Sequence, residues 1–198
     1  TEGYTYDMSC FVAWGDKLAS EGPAAFYSAD YFADYPPGYI LVLGLVSLVR
    51  KALQLSYESR WTYFLLALIP AICDCAAVVL LDHISRRYMG QGRAQRCLVL
   101  FAAFCPLTLF DTGIWKQIDG AFALPLLLCF WLLEERRYLL AAVLYGVALA
   151  IKPQALLAGP VLAVCFLVAI ADAVRDGKSP LKSVGQIFGG AALALLPT

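Results

Sequence analysis

Long apolar runs are the feature that most constrains the fold of this chain. Hydrophobic residues make up 61% of its 198 positions and charged residues 15%, whereas soluble domains contain about 45–50% and about 25% of these classes. A soluble surface built from this composition would be largely apolar, so a lipid environment is the simpler explanation. The runs occupy residues 61–82, 97–110, 121–133, 138–151, 155–171 and 184–196.

These runs predict an all-α membrane protein, a polytopic transmembrane helix bundle of about five to six spans. Several runs are shorter than the about 20 residues that a spanning helix needs. Short helices are tolerated beside a water-filled cavity, so they indicate a hollow on one side. The chain begins at Thr1 without a Met and ends at Thr198 after an apolar run. We therefore expect a preceding helix and further C-terminal spans.

Residues 1–60 differ in character from residues 61–198. We predict that the first part is an external loop carrying amphipathic or interfacial helices, and that the second part holds the transmembrane helices. Residues 1–39 are polar and aromatic. Within them, Asp7–Glu21 has apolar side chains at helical spacing, and this helix should end at Gly22-Pro23.

The sequence Asp-Tyr-Pro-Pro-Gly-Tyr at residues 34–39 predicts a rigid turn that opens the next helix. The apolar run that follows, residues 40–49, ends at Arg50-Lys51. This run is too short to cross a bilayer. We therefore expect its helix to lie in or dip into the interface, at an angle fixed by the two prolines.

If successive spans cross the membrane in opposite directions from residue 61 onward, basic residues collect in three loops on one side. The positive-inside rule places these loops in the cytoplasm. Residues 1–60, the polar segment 111–120 and the segment 152–154 then converge on the opposite side, which predicts an extracytoplasmic site in an integral membrane protein. The basic residues of the three loops are Arg86, Arg87, Arg93, Arg96, Arg136, Arg137, Arg175, Lys178 and Lys182.

Asp7 is the candidate catalytic residue. It stands at the start of the first predicted helix, where Asp is a common cap. Alternatively, a carboxylate in a partly dehydrated external pocket could act as a general base. Position alone favours the capping interpretation.

Two further polar segments could be sites or plain connections. Trp115-Lys-Gln-Ile-Asp119 could be an inter-helix loop, or Trp115 could stack on a sugar while Gln117 and Asp119 bind its hydroxyls. Lys152-Pro-Gln could hold a lysine that reaches for the interface. Alternatively, its lysine beside a helix start could attract phosphate.

Two ionisable residues fall within or beside the first span. Asp74, in its middle, is either a functional group or a hydrogen-bond partner of a neighbouring helix, which is the interpretation we favour. His83 precedes Arg86 and Arg87 and is expected to be interfacial.

Other chemistries find little support in the sequence. A formal net charge of zero provides no basic field for nucleic acid. The seven cysteines are odd in number and scattered, which does not indicate a disulfide framework. We expect no cofactor. A divalent ion on Asp7 with Asp30 or Asp34 stays open, although the spacing does not support it.

Three motifs in order resemble those of the GT-C glycosyltransferases. Residues 7–14, 22–27 and 34–38 look like their first external loop. Trp115-Lys-Gln-Ile-Asp119 is similar to their Trp-Gly-Gln-x-Asp motif, and Ile151-Lys-Pro-Gln-Ala-Leu156 is similar to their Lys-Pro-Gln segment. The resemblance is to bacterial mannosyltransferase-like proteins related to the GPI-anchor mannosyltransferases, and to the glucosyltransferases of N-glycosylation.

This resemblance implies a polytopic enzyme of the bacterial plasma membrane. Its donor would be a polyprenyl-phosphate-linked mannose or glucose, its acceptor a glycan, lipid or protein, and Asp7 its external-loop catalytic carboxylate. Lys116 stands where the family usually has Gly, which adds bulk and charge beside the pocket. The substrate-binding residues that the motifs imply are Asp34, Tyr35, Trp115, Gln117, Asp119, Lys152 and Gln154.

Two other functions are weighed against the transferase. A multi-pass transporter or lipid-carrier flippase would use polar helix ends and Asp74 to line a path, but no inverted repeat is evident. A non-catalytic GT-C relative is suggested only by Lys116.

Overall fold

A computed structural model of the protein describes residues 3–27 and 30–175, together with Gly185 and Gly189. In these residues every regular element is helical, and none is a strand. The α-helices are α1 (Thr5–Glu21), α2 (Pro23–Phe26), α3 (Pro37–Ala52), α4 (Arg60–Met89), α5 (Arg93–Ala103), α6 (Pro106–Thr108), α7 (Asp119–Glu134), α8 (Tyr138–Ile151) and α9 (Gly159–Arg175), with a π-helical turn at Leu109–Trp115 and a 3₁₀ turn at Pro153–Ala158.

The described residues include three helical stretches that are long and apolar enough to cross a membrane. α8 is also apolar but shorter. These stretches confirm the predicted all-α membrane helix bundle. They are Arg60–Met89, Arg93–Trp115 and Pro153–Asp172.

The chain forms two compact units, Thr1–Ala121 and Phe122–Thr198. The first unit contains α1 to α6, the π-helical turn and the first residues of α7. The second contains the rest of α7, α8, the 3₁₀ turn and α9. The predicted division after residue 60 concerns the side of the membrane that each part occupies, and it stays a prediction.

The sequence predicts the end of α1 and the start of α3, but α1 begins two residues earlier than predicted, at Thr5, and α3 continues past Arg50-Lys51 to Ala52. α1 ends at Gly22, whose backbone N–H donates to the carbonyl of Leu18 at 2.9 Å. Pro37 is the first residue of α3, as expected of a proline at a helix start. α3 has 16 residues, fewer than the about 20 that a spanning helix needs.

α1 and α3 pack with their backbones close together. A Cβ atom on Gly15 would lie 2.5 Å from the carbonyl oxygen of Leu43, so only glycine fits at this crossing. Beside it, the ring of Phe11 meets the rings of Tyr35 and Tyr39 edge-on, with each pair of centroids 5.7 Å apart. Phe11 and Tyr39 are almost fully buried and form the core between the two helices.

α4 is longer than the sequence predicts. The first span was expected to end at residue 82, but the helix continues through the basic residues to Met89. Polar contacts explain this extension: Asp82 accepts a hydrogen bond from Arg86 one turn further along the helix and another from Gln95 of α5. The carboxylate therefore supports helical structure beyond the apolar run.

The polar segment 111–120 is not a simple loop. After Pro106 the chain remains helical, and the π-helical turn carries it through Asp111 to Trp115. Only residues 116–118 connect this turn to α7. Of the motif Trp115–Asp119, only residues 116–118 form a connection, because Trp115 ends the π-helical turn and Asp119 begins α7.

The second unit has an apolar core of Cys129, Leu132, Ala141 and Leu162. α8 covers residues 138–151, as the apolar run predicts. Lys152 is extended, and Pro153 opens the 3₁₀ turn that leads into α9. The apolar run predicted at 184–196, with Lys178 and Lys182 before it, lies outside the described residues apart from Gly185 and Gly189.

Candidate active site

Asp7 lies in the first turn of α1 and is half-buried. The residue that caps this helix is Tyr4, and no side chain accepts a capping hydrogen bond there. The capping interpretation of Asp7 is therefore wrong. The carboxylate still lies in the first turn of α1, at the positive end of the helix dipole.

The side chain of Gln117 contacts Asp7 directly. Its amide nitrogen, Nε2, donates to Asp7 Oδ2 at 2.5 Å, across 110 residues of sequence. The backbone N–H of Gln117 donates to the carbonyl of Asp111 at 3.0 Å. Lys116, between these segments, has left-handed backbone angles (φ 65°, ψ 40°) and turns the chain. The structure thus brings a first-loop motif and the Trp115–Asp119 motif together.

Tyr35 lies near carboxylates that belong to both of these motifs. Burial raises the pKa of its phenol, and four nearby carboxylate charges raise it further. The phenol therefore stays protonated and can donate a hydrogen bond at any physiological pH. The four carboxylates are those of Asp34, Asp119, Asp7 and Asp111.

The other predicted residues of the first unit have different exposures. Asp34 is exposed in the turn before α3, while Asp119 is half-buried at the first position of α7. Trp115 is 45% exposed. Its ring meets Phe110 edge-on, with centroids 6.3 Å apart, and the exposed remainder of the indole offers a surface for a sugar.

Asp74 joins α4 to the segment that carries Gln117. The hydroxyl of Thr112, in the π-helical turn, donates to Asp74 Oδ2 at 2.5 Å. This confirms the interpretation of Asp74 as a hydrogen-bond partner of a neighbouring helix. A mostly apolar cavity of about 360 Å³ lies beside this contact, lined by Ala71, Asp74, Cys75, Val78, Ala102, Ala103, Thr108, Leu109, Thr112 and Gly113.

Lys152 and Gln154 belong to the second unit. Lys152 is half-buried between α8 and the 3₁₀ turn. Its ammonium lies 5.6 Å from the centre of the Phe122 ring, a cation–π distance. Gln154 is exposed in the 3₁₀ turn. Their assignment to substrate therefore rests on the motif alone.

The described residues hold no group of three or more His, Cys, Asp or Glu side chains placed to bind a metal ion. The carboxylates around Tyr35 do not form such a group. The seven cysteines are all free thiols.

Sequence reasoning missed three contributors to this region. Asp111 lies near Tyr35, Thr112 bonds Asp74, and Gly120 contacts Asp74 from the start of α7. In the sequence, Gly120 was the residue that could have indicated this contact, because a glycine beside a polar motif often marks a close approach of two chain segments. Nothing in the sequence indicates its partner, which lies 46 residues earlier on another helix.

A membrane-embedded helix bundle with a carboxylate–amide pair beside aromatic and acidic side chains fits a membrane enzyme that handles sugars. The family model for glycosyltransferase family 87 matches residues 32–197. The chain belongs to glycosyltransferase family 87, and it is a membrane glycosyltransferase of the GT-C type. Its partners therefore include a sugar donor, an acceptor and membrane lipids. No curated protein and no solved structure matches the chain.

The matched range also limits what the family says about the site. It starts at residue 32 and so includes Tyr35, Gln117 and Lys152 but not α1. The assignment of Asp7 therefore depends on its contact with Gln117 and on the resemblance of the first loop.

Proposed function

We propose that the protein transfers a hexose, mannose or glucose, from a polyprenyl-phosphate donor to an acceptor hydroxyl on the extracytoplasmic side, with inversion at the anomeric carbon. The observation that carries this proposal is the hydrogen bond from Gln117 to Asp7. It joins a carboxylate from the first loop to the motif that resembles the sugar-handling segment of GT-C enzymes. Family membership supports the transferase, and the basic loops support the side of the membrane.

In the proposed reaction Asp7 is the general base. Gln117 bonds Oδ2 and fixes the carboxylate, and we assign Oδ1 to the proton of the acceptor hydroxyl. As that proton moves to Asp7, the acceptor oxygen forms a bond to the sugar C1. The bond from C1 to the phosphate oxygen breaks, and the polyprenyl phosphate leaves with the electron pair. A single displacement of this kind inverts the anomeric carbon.

The remaining residues are assigned to binding. Trp115 would stack on a sugar face, while Gln117, Asp119 and Asp34 would bind hydroxyls. The protonated phenol of Tyr35 supplies a further donor. The Lys-Pro-Gln motif assigns Lys152 and Gln154 to the phosphate of the donor, whose negative charge grows as the bond breaks.

No observation favours a transporter, and membership in a glycosyltransferase family supports chemistry instead. The non-catalytic alternative rested on Lys116 alone. Its left-handed backbone explains why a glycine is common there, and lysine occupies this conformation without displacing Gln117 from Asp7.

The test uses the full-length protein in liposomes with a panel of polyprenyl-phosphate sugars and, separately, nucleotide sugars. We expect transfer from a polyprenyl-phosphate hexose and none from the nucleotide sugars. Nuclear magnetic resonance of the product should show the anomeric configuration opposite to that of the donor. Transfer from nucleotide sugars alone, or retention of configuration, would contradict the proposal.

A further inference from the structure

Both carboxylate oxygens of Asp74 meet the segment that carries Gln117, one at each end. Thr112 donates to Oδ2 at 2.5 Å. At the other end, a Cβ atom on Gly120 would lie 2.2 Å from Oδ1 and 2.8 Å from the carbonyl oxygen of Pro70. Asp74 and the backbone of α4 thus pack directly on Gly120, and no larger residue fits there.

The nine-residue stretch from Thr112 to Gly120 is fixed internally as well. The carbonyl of Asp111, next to Thr112, accepts hydrogen bonds from the backbone N–H groups of Lys116 and Gln117. Thr112 and Gly120 are both buried. Contacts therefore hold the segment at both ends and in the turn between them, and Gln117 reaches from this turn to Asp7.

We propose that Asp74 is a positioning residue for the transferase, which holds the Thr112–Gly120 segment so that Gln117 meets Asp7. This inference rests on the proposed function of the Asp7–Gln117 pair. Asp74 acts through the shape of its carboxylate and through the hydrogen bond from Thr112. It neither transfers a proton nor binds substrate. A residue of this kind supports the catalytic geometry from the next layer of side chains.

A positioning role for Asp74 and a role for its charge predict different effects of substitutions. Asp74→Asn retains an oxygen for Thr112 and a group of the same size beside Gly120, so kcat should stay within about threefold of wild type. Thr112→Ser retains the hydroxyl and should behave likewise. Thr112→Val removes the hydrogen bond at nearly constant volume, and Gly120→Ala forces a methyl group into the carboxylate.

Displacing Gln117 by a fraction of an ångström should be costly, because a misplacement of about 1 Å can reduce a rate about 100-fold. We expect Thr112→Val and Gly120→Ala to lower kcat about 10- to 100-fold, with the KM for the donor within about twofold of wild type. Gln95→Leu is the matched control: it breaks the hydrogen bonds from the buried Gln95 side chain of α5 to Asp82 and Ser85 of α4, away from Gln117.

The deciding experiment is a double-mutant cycle in the full-length protein, with thermal unfolding recorded for each variant. If Asp74 acts through Gln117, Thr112→Val should cause almost no further loss of kcat in the Q117A background. The control Gln95→Leu should cost the same factor in both backgrounds. Equal losses for Thr112→Val in the two backgrounds, or an Asp74→Asn variant as impaired as Thr112→Val, would overturn the inference.

Failure of the underlying function gives a different result. If the wild-type protein transfers no sugar, the proposed function is wrong. If Asp7→Asn transfers it at the wild-type rate, the assignment of Asp7 as the base is wrong. If wild type is active, Asp7→Asn is inactive and Thr112→Val behaves as wild type, only the role of Asp74 is wrong.

Discussion

Asp7 and Asp16 are carboxylates on the same helix, but their partners differ in kind. Arg50 donates to both oxygens of Asp16 at 2.7 Å, and the ammonium of Lys51 lies 3.8 Å away. Asp7 instead receives a hydrogen bond from the neutral amide of Gln117. Within residues 3–27 and 30–175 it forms no ion pair. The structure thus distinguishes a carboxylate bound to cations from one bound to a neutral amide.

The surroundings of Asp16 also affect its pKa. Burial alone would raise the pKa of this carboxyl, but hydrogen bonds from Ser47 and Arg50 and the charges of Arg50 and Lys51 outweigh burial and lower it. A carboxylate stabilised in this way is a poor proton acceptor. We therefore interpret Asp16 as the residue that fastens α1 to α3, and Asp7 as the base.

The largest difference between the two should appear in catalysis. Asp7→Asn retains the shape and an acceptor for Gln117 but removes the base, so kcat should fall about 10²- to 10⁴-fold. Asp16→Asn, its matched control, should leave kcat per folded molecule nearly unchanged. Transfer assays on both variants, normalised to folded protein, measure the contrast. Equal losses in the two variants would remove the distinction.

Removing Arg50, the cation bound to Asp16, should affect the stability of the fold rather than catalysis. Arg50→Met leaves Asp16 partly buried without its main partner and also breaks the bond to the carbonyl of Leu55. The expected loss is about 3 kcal/mol in the free energy of unfolding. Arg86→Met breaks an exposed pair with Asp82, which solvent screens, and should lose much less. Unfolding in detergent measures both, and similar losses would count against a structural role for Asp16.

How much of this could be predicted from the sequence depends on the range of each interaction. The end of α1, the start of α3 and the end of α8 were predictable, because Gly22-Pro23, Pro36-Pro37 and Lys152-Pro153 act locally on the backbone. The residue types of the site were also predictable from its motifs.

The contacts that give those residues their roles were not predictable from local pattern. Asp16 meets Arg50 and Asp74 meets Thr112 across more than 30 residues, and Asp7 meets Gln117 across 110. Helix packing decides these pairs. For the same reason the continuation of helical structure through Asp111 to Trp115 was not foreseen, since a polar run usually indicates a loop.

The pH dependence of stability should identify Asp16 in a second way. The pKa of Asp16 is lowered from the ordinary value of 3.8, so its stabilisation is complete above about pH 5 and is lost as the pH falls through the folded-state pKa. The difference in unfolding free energy between wild type and Asp16→Asn should therefore shrink below about pH 4. A difference that stays constant from about pH 6 to about pH 3 would show that the charge of Asp16 does not stabilise the fold.

Lys116 gives the smallest expected effect. It follows Trp115 beside the site, yet its ammonium lies 3.4 Å from the carbonyl of Gly113 and not at Asp7. Lys116→Gly should relieve the left-handed backbone and raise stability by about 0.5–1 kcal/mol. Gln54→Gly, at φ 53°, is the control and should gain a similar amount. A large loss of kcat in Lys116→Gly alone would mean that this cation does serve Asp7.

The most direct test of the account is whether Gln117 serves Asp7. The measurement is kcat for Gln117→Ala in the wild-type background and in the D7N background. We predict a loss of about 10- to 100-fold in the first and almost no further loss in the second, because the amide then has no base to hold. The same loss in both backgrounds would show that Gln117 acts independently of Asp7, and would contradict the assignment of Asp7 as the base.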